Sequence, residues 1–109
     1  MVEAISTLKE ISQYTLLAVA IVPLWLRRRL KEEVSGDPDD PDLEIAHEKD
    51  RFLGGGDEST NVRAVSRVSH YFDHQKKADK AKNEVERKIH KRAMELIKER
   101  MTKEERGQV

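Results

Sequence analysis

The sequence predicts an all-α chain: a single N-terminal transmembrane helix, an acidic Pro/Gly linker, and a long basic C-terminal helix, with no independent globular core. Three observations carry this. The positions from Tyr14 to Leu26 form the only strongly apolar run in a chain where 39% of residues are charged. Gly36, Pro38 and Pro41 on one side and Gly54, Gly55 and Gly56 on the other then bracket an acidic stretch. Beyond it, neither Gly nor Pro occurs between Asp57 and Gly107. With only two Phe, two Tyr and one Trp, the remaining residues offer little to build a second packed layer.

The first element, 1–33, reads as one helix. Ala4, Ile5, Leu8 and Ile11 recur at helical spacing and lead without a breaker into the apolar run, with Pro23 inside the helix as a kink. Thirteen residues rise only about 20 Å, short of a bilayer core. Counting from Lys9 to Arg27 gives about 27 Å, enough to span once the charged ends reach the headgroups. The span is assigned to Tyr14, Leu16, Leu17, Val19, Ile21, Val22, Leu24, Trp25 and Leu26. Trp25 acts as an interfacial aromatic, and Arg27, Arg28, Arg29 and Lys31 form a positive-inside collar. The N-terminus is then translocated and the C-terminus cytoplasmic, or, in a virion with an internal membrane, ordered relative to capsid and genome. "MVEA" lacks a basic n-region, so a signal peptide fits less well.

Residues 34–60 read as a flexible acidic linker, with Leu43, Ile45, Phe52 and Leu53 as a patch that docks on a partner. "DPDDPDLE" lacks the Gly and Glu that a calcium loop needs, and "GGG" is followed by no Lys-Ser or Lys-Thr, so it reads as a hinge rather than a phosphate loop.

Residues 61–106 read as one amphipathic helix about 69 Å long if unbroken, with 107–109 as a tail. Ser59, Thr60 and Asn61 qualify as N-caps. Its stripe contains Ala64, Val68, Tyr71, Ala78, Ala81, Val85, Ile89, Ala93, Leu96 and Met101, too small-sided for a self-sufficient coiled coil. Docking against a larger surface follows, with Val68, Tyr71, Val85, Ile89 and Leu96 as contact residues.

Charge is segregated although the total is zero. Residues 1–31 hold five basic and two acidic side chains, 32–58 two and eleven, and 59–109 fourteen and eight, giving +3, −9 and +6. Absence of cysteine excludes disulfides, thiolate metal sites and thiol catalysis. His70, Asp73 and His74 share one helical face and could approach a metal, but His47 and His90 are distant in sequence and the default reading is two solvated histidines.

No catalytic, cofactor or metal residues are assigned, and no small-molecule substrate. The function expected is that of a non-enzymatic, single-pass structural subunit of a membrane-associated assembly, of the kind of a minor membrane protein or minor capsid protein of a virion with an internal lipid layer. Its partners are the bilayer and other protein subunits, in a homo- or hetero-oligomer. Two alternatives stand: an accessory subunit of a membrane enzyme or transporter, and a membrane-tethered binder of nucleic acid or anionic lipid through the basic helix.

Overall fold

In a computed structural model of the chain, residues 13–18, 22–58 and 60–109 are described. A two-stranded antiparallel sheet lies between a helix on one face and a helical hairpin on the other. The elements are helix α1 (Leu24–Ser35), strand β1 (Leu43–His47), a single 3-10 turn (Arg51–Leu53), strand β2 (Val62–Ser66), helices α2 (Arg67–Asp79) and α3 (Glu84–Arg100), and the short helix α4 (Lys103–Arg106). The prediction of an all-α chain without a core is therefore corrected.

The N-terminal helix does not run through Pro23. That residue sits at φ −52°, ψ 140°, outside the helix, and its carbonyl accepts from the Leu26 and Arg27 amides at 3.1 and 3.0 Å. A proline lacks an amide hydrogen to donate to a preceding turn, so it starts a helix more readily than it continues one. α1 ends at Gly36, whose φ of +80° is the left-handed conformation a C-cap needs, with its amide bonded to the Glu32 carbonyl at 2.9 Å. Val22, Leu26 and Leu30, spaced by four, are buried against Val62 and Ala64, with Leu43 and Ile45 packed at the margin. Among the described residues no helix is long and apolar enough to cross a membrane. The single-pass span, its membrane orientation and the virion-membrane placement are accordingly not supported. Of the residues assigned to the span, Val22 and Leu26 serve the protein's own core, and Val19 and Ile21 lie outside the described residues.

The acidic linker contains β1. "DPDDPD" is folded into two successive Asx turns, Asp37 Oδ1 accepting from the Asp39 amide and Asp40 Oδ1 from the Asp42 amide, both at 2.9 Å. β1 pairs with β2 in the register Leu43↔Ser66, Ile45↔Ala64 and His47↔Val62. Between the strands, Asn61 closes the loop by accepting from the Lys49 amide and donating to the Lys49 and Gly56 carbonyls, at 2.8, 3.0 and 2.7 Å. Asn61 is thus a loop staple and not a helix cap. The glycines pack tightly: Gly54 sits at φ +94°, and a Cβ at Gly55 would collide with the Lys49 carbonyl.

In place of the long C-terminal helix stand strand β2 and the three helices α2, α3 and α4. Val62 and Ala64 alternate inward with the exposed Arg63, the period-two signature of a half-buried strand. Ser66 caps α2 through the Ser69 amide, and Asn83 caps α3 through the Glu86 amide at 2.9 Å. The turn between Asp79 and Asn83 folds α3 back on α2. Ala78, Ile89, Ala93, Ile97 and Met101 are buried, the small alanines permitting close helix approach. Segment 13–18 is helical and lies against α3: Arg92 Nε donates to Thr15 Oγ1 at 2.8 Å, and Lys88 Nζ stands 5.8 Å from the Tyr14 ring centroid.

Arg67, buried at the first position of α2, joins three segments. It donates to both Glu105 carboxylate oxygens at 3.0 and 3.2 Å, to the Pro41 carbonyl at 2.8 Å and to Asp42 Oδ1 at 3.0 Å. Glu105 is itself held by a capping box with Thr102.

Candidate functional site

All four histidines of the chain converge where the end of β1 meets the helical hairpin. His70 and His74 lie one turn apart on α2, their ring centroids 4.9 Å apart. The fold-back brings in His90 of α3, whose ring lies 5.3 Å from that of His74, with Phe52 of the 3-10 turn against its other side at 5.4 Å. His47, at the end of β1, donates from Nε2 to Asp57 Oδ1 at 2.9 Å, and Arg51 pairs with the second oxygen of the same carboxylate. His70 Nδ1 bonds Glu44 Oε1 at 3.0 Å.

Glu44 shows how burial and partners compete. Desolvation alone would raise its pKa, but hydrogen bonds from His70 and from Arg100, whose Nε lies 2.6 Å from Oε2, hold the carboxyl down at about 2. Asp57 is held below the ordinary carboxylate range by its bond from His47, against a smaller burial effect.

The deepest part is the contact between His74 and His90. Their Nδ1 atoms are 3.0 Å apart, so one proton lies between two ring nitrogens. Burial, reinforced by the neighbouring His70 and Lys77 charges, pushes His74 down to about 2. Burial also pushes His90 down, with Asp50 opposing it. Both rings are therefore neutral at physiological pH. His90 Nε2, in a side chain 1% exposed, has no hydrogen-bond partner among the described residues; Asp50 Oδ2 stands 3.7 Å away and Glu86 Oε1 4.0 Å away. Lys77 Nζ lies 3.2 Å from Asp50 Oδ2 and donates to the His47 carbonyl at 2.6 Å, while Asp73 Oδ2, 3.5 Å from that ammonium, also lacks a hydrogen bond.

This cluster forms part of the wall of an open cleft of about 440 Å³, which Asp50, His70 and His74 share with Arg27 and Lys31 of α1 and with Leu96 and Arg100 of α3. Its carboxylates already have partners: Glu44 is engaged by His70 and Arg100, and Asp50 by Lys77.

A second feature is the outer side of α1. Leu24 and Trp25 are 62% and 66% exposed, and Arg28 and Arg29 follow Trp25 at i+3 and i+4 on the same side. Arg28 pairs with Asp39 at 3.2 Å and Arg29 with Glu33 at 3.3 Å. Leu16 and Leu17 are exposed on the preceding helical segment.

The residues singled out for partner contact scatter. Leu43 and Ile45 pack on the α1 core, and Phe52 on His90. Ile89 is buried in the helical hairpin, Leu96 lines the cleft, and Val68 and Tyr71 are half-buried. Leu53 and Val85 are exposed. Of "HYFDH", His70, Asp73 and His74 all belong to the cluster, His74 buried and His70 and Asp73 half-buried, each with specific neighbours. Asp50, Lys77 and His90 carried no signal of their own in the sequence, because only the turn before Asn83 brings His90 to His74.

No protein-family model, no curated protein and no solved structure matches this chain.

Proposed function

We propose that the protein is a non-enzymatic interaction subunit that docks on another protein through the outer side of α1. One observation carries the reading: the only tryptophan of an aromatic-poor chain is left 66% exposed beside Leu24, while the opposite side of the same helix is buried in the core. Large apolar side chains left outside a filled core mark interaction surfaces, and tryptophan and arginine are the residues most enriched among those that dominate binding energy. Arg28 and Arg29 beside Trp25 select a partner surface with an apolar pocket rimmed by carboxylates.

A nucleic-acid reading of the basic C-terminal half has less support. Arg63, Arg67, Lys77, Arg87, Arg92 and Arg100 are engaged by Glu48, Glu105, Asp50, Glu84, Glu95 and Glu44, which leaves fewer cations for phosphates.

The test places a photo-crosslinking residue at Leu24 of the full chain in its native host. The expected result is a discrete protein adduct that is lost in Trp25→Ala, a change that weakens binding by more than about 2 kcal/mol or roughly 30-fold, and reduced in Arg28→Glu. Crosslinking to lipid alone, or an adduct indifferent to Trp25→Ala, overturns the reading.

A further inference from the structure

We propose that Asp50, His74 and His90 form a binding site for a divalent transition-metal ion of the zinc class. One ligand atom from each of the three lies within 4.8 Å of the other two, and all three residues are buried. The 3.0 Å between the two Nδ1 atoms is close to the separation of two nitrogens bound to one ion, roughly 3.0–3.4 Å for bonds of about 2.1 Å. Imidazole nitrogens with one carboxylate suit zinc and its neighbours better than calcium or magnesium.

The unpartnered His90 Nε2 is the independent observation. A histidine bound to metal through one nitrogen carries its proton on the other and directs it at a carboxylate or carbonyl. Here Nδ1 faces His74, and Nε2 faces Asp50 Oδ2 at 3.7 Å and Glu86 Oε1 at 4.0 Å. Those distances are about 0.5–1 Å too long for a hydrogen bond. An ion between the Nδ1 atoms converts Nε2 into a committed donor, and a small closure onto Glu86, which lies outside the ligand set, satisfies it.

Proton balance needs no external base. In the hydrogen-bonded His74–His90 pair one ring carries its proton on Nδ1 and donates it to the other ring. Ion entry requires both Nδ1 lone pairs, so that proton moves to Nε2 of the same ring, and the imidazoles remain neutral.

Charge favours the ion. Asp50, Asp73 and Glu86 face the cluster, against Lys77 and, at 3.6 Å from Asp73 Oδ1, Arg63. Lys77 Nζ is the cation that Asp50 holds, and it retains the His47 carbonyl and Asp73 when Asp50 turns to the ion. Three protein ligands leave a coordination position, and because Asp50 and His74 line the cleft, the ion has both an entry path and an open face there.

The experiment titrates the full-length, chelator-treated chain with Zn²⁺ by calorimetry, and with Co²⁺ by visible absorption as a report on coordination geometry. One ion per chain is expected, with a Co²⁺ spectrum of low-symmetry four- or five-coordination. His74→Gln weakens Zn²⁺ affinity by more than about tenfold, the least that loss of a directly bound group produces when even outer partners matter that much. Lys77→Met strengthens it by removing the competing cation, a gain that misfolding does not mimic. His47→Gln, which alters a histidine outside the ligand set, leaves it unchanged. Absence of a single-site isotherm in the folded wild-type chain overturns the proposal, as does a folded His74→Gln variant that binds zinc normally.

Discussion

The two faces of the β1–β2 sheet are built by different means. Toward α1, Val62 and Ala64 meet Val22, Leu26 and Leu30 in an apolar contact. Toward the helical hairpin, Glu44 engages His70 and Arg100, and the adjoining seam between α2 and α3 mixes Ala78, Ala93 and Ile97 with His74 and His90. The first face is interchangeable among apolar residues of similar volume; the second depends on the identity and protonation of each partner. The contrast shows how a short chain with few aromatics can fold: apolar burial supplies one side, and paired buried polar groups fill the other at little cost in large hydrophobes.

The largest expected effect breaks the apolar component at its most buried point. Ile97→Ala, at a side chain 1% exposed, costs about 2–5 kcal/mol through lost transfer energy and an unfilled cavity, measured by urea denaturation. Leu26→Ala on the α1 face falls in the same range but below Ile97→Ala, because that site lies nearer the surface and collapses more easily. Next is Asn61→Ala at the loop joining the two strands. It removes three hydrogen bonds to Lys49 and Gly56 backbone groups and costs about 1–3 kcal/mol.

A pH titration sharpens the comparison on the ionic face. The Glu44 carboxyl lies at about 2 in the folded chain against 4.5 for the free group, so the unfolded chain binds the proton first as pH falls. The stability that Glu44 contributes is complete above about pH 4.5 and declines as pH drops toward 2. Glu44→Gln flattens that part of the stability–pH curve, whereas Leu30→Ala lowers the whole curve without changing its slope there. The smallest effect is at Trp25. Trp25→Ala shifts stability by less than about 0.5 kcal/mol, because the side chain supports neither face, and a larger loss would show that it belongs to the core.

Much of the helical content was legible in the sequence. The four-residue spacing of Val85, Ile89 and Ala93 continues through α3, and Leu26 and Leu30 continue the rhythm of the apolar run into α1. The strands were not, for physical reasons. In "VRAVS", Val62 and Ala64 alternate at period two, while Ala64, Val68 and Tyr71 fit a helical stripe equally well, and only pairing with β1 selects the strand. "LEIAH" is short and sits in an acidic setting that resembles solvated linker. The break between α2 and α3 contains neither Gly nor Pro; its one local mark is Asn83, a cap that becomes meaningful once the chain has a surface to turn toward. Of the histidine cluster, the His70–His74 spacing was visible, but its partners Asp50 and His90 are assembled by tertiary structure alone.

Arg67 links the fate of distant stretches of chain. With Pro41, Asp42 and Glu105 on one guanidinium, the turn that enters β1 is tied to helix α4. The amides of 102–106 should therefore exchange with solvent at rates set by the region around 40–43, and Arg67→Met should expose both to protease at once. Helix α4 in this way serves as a latch on the turn that opens strand β1.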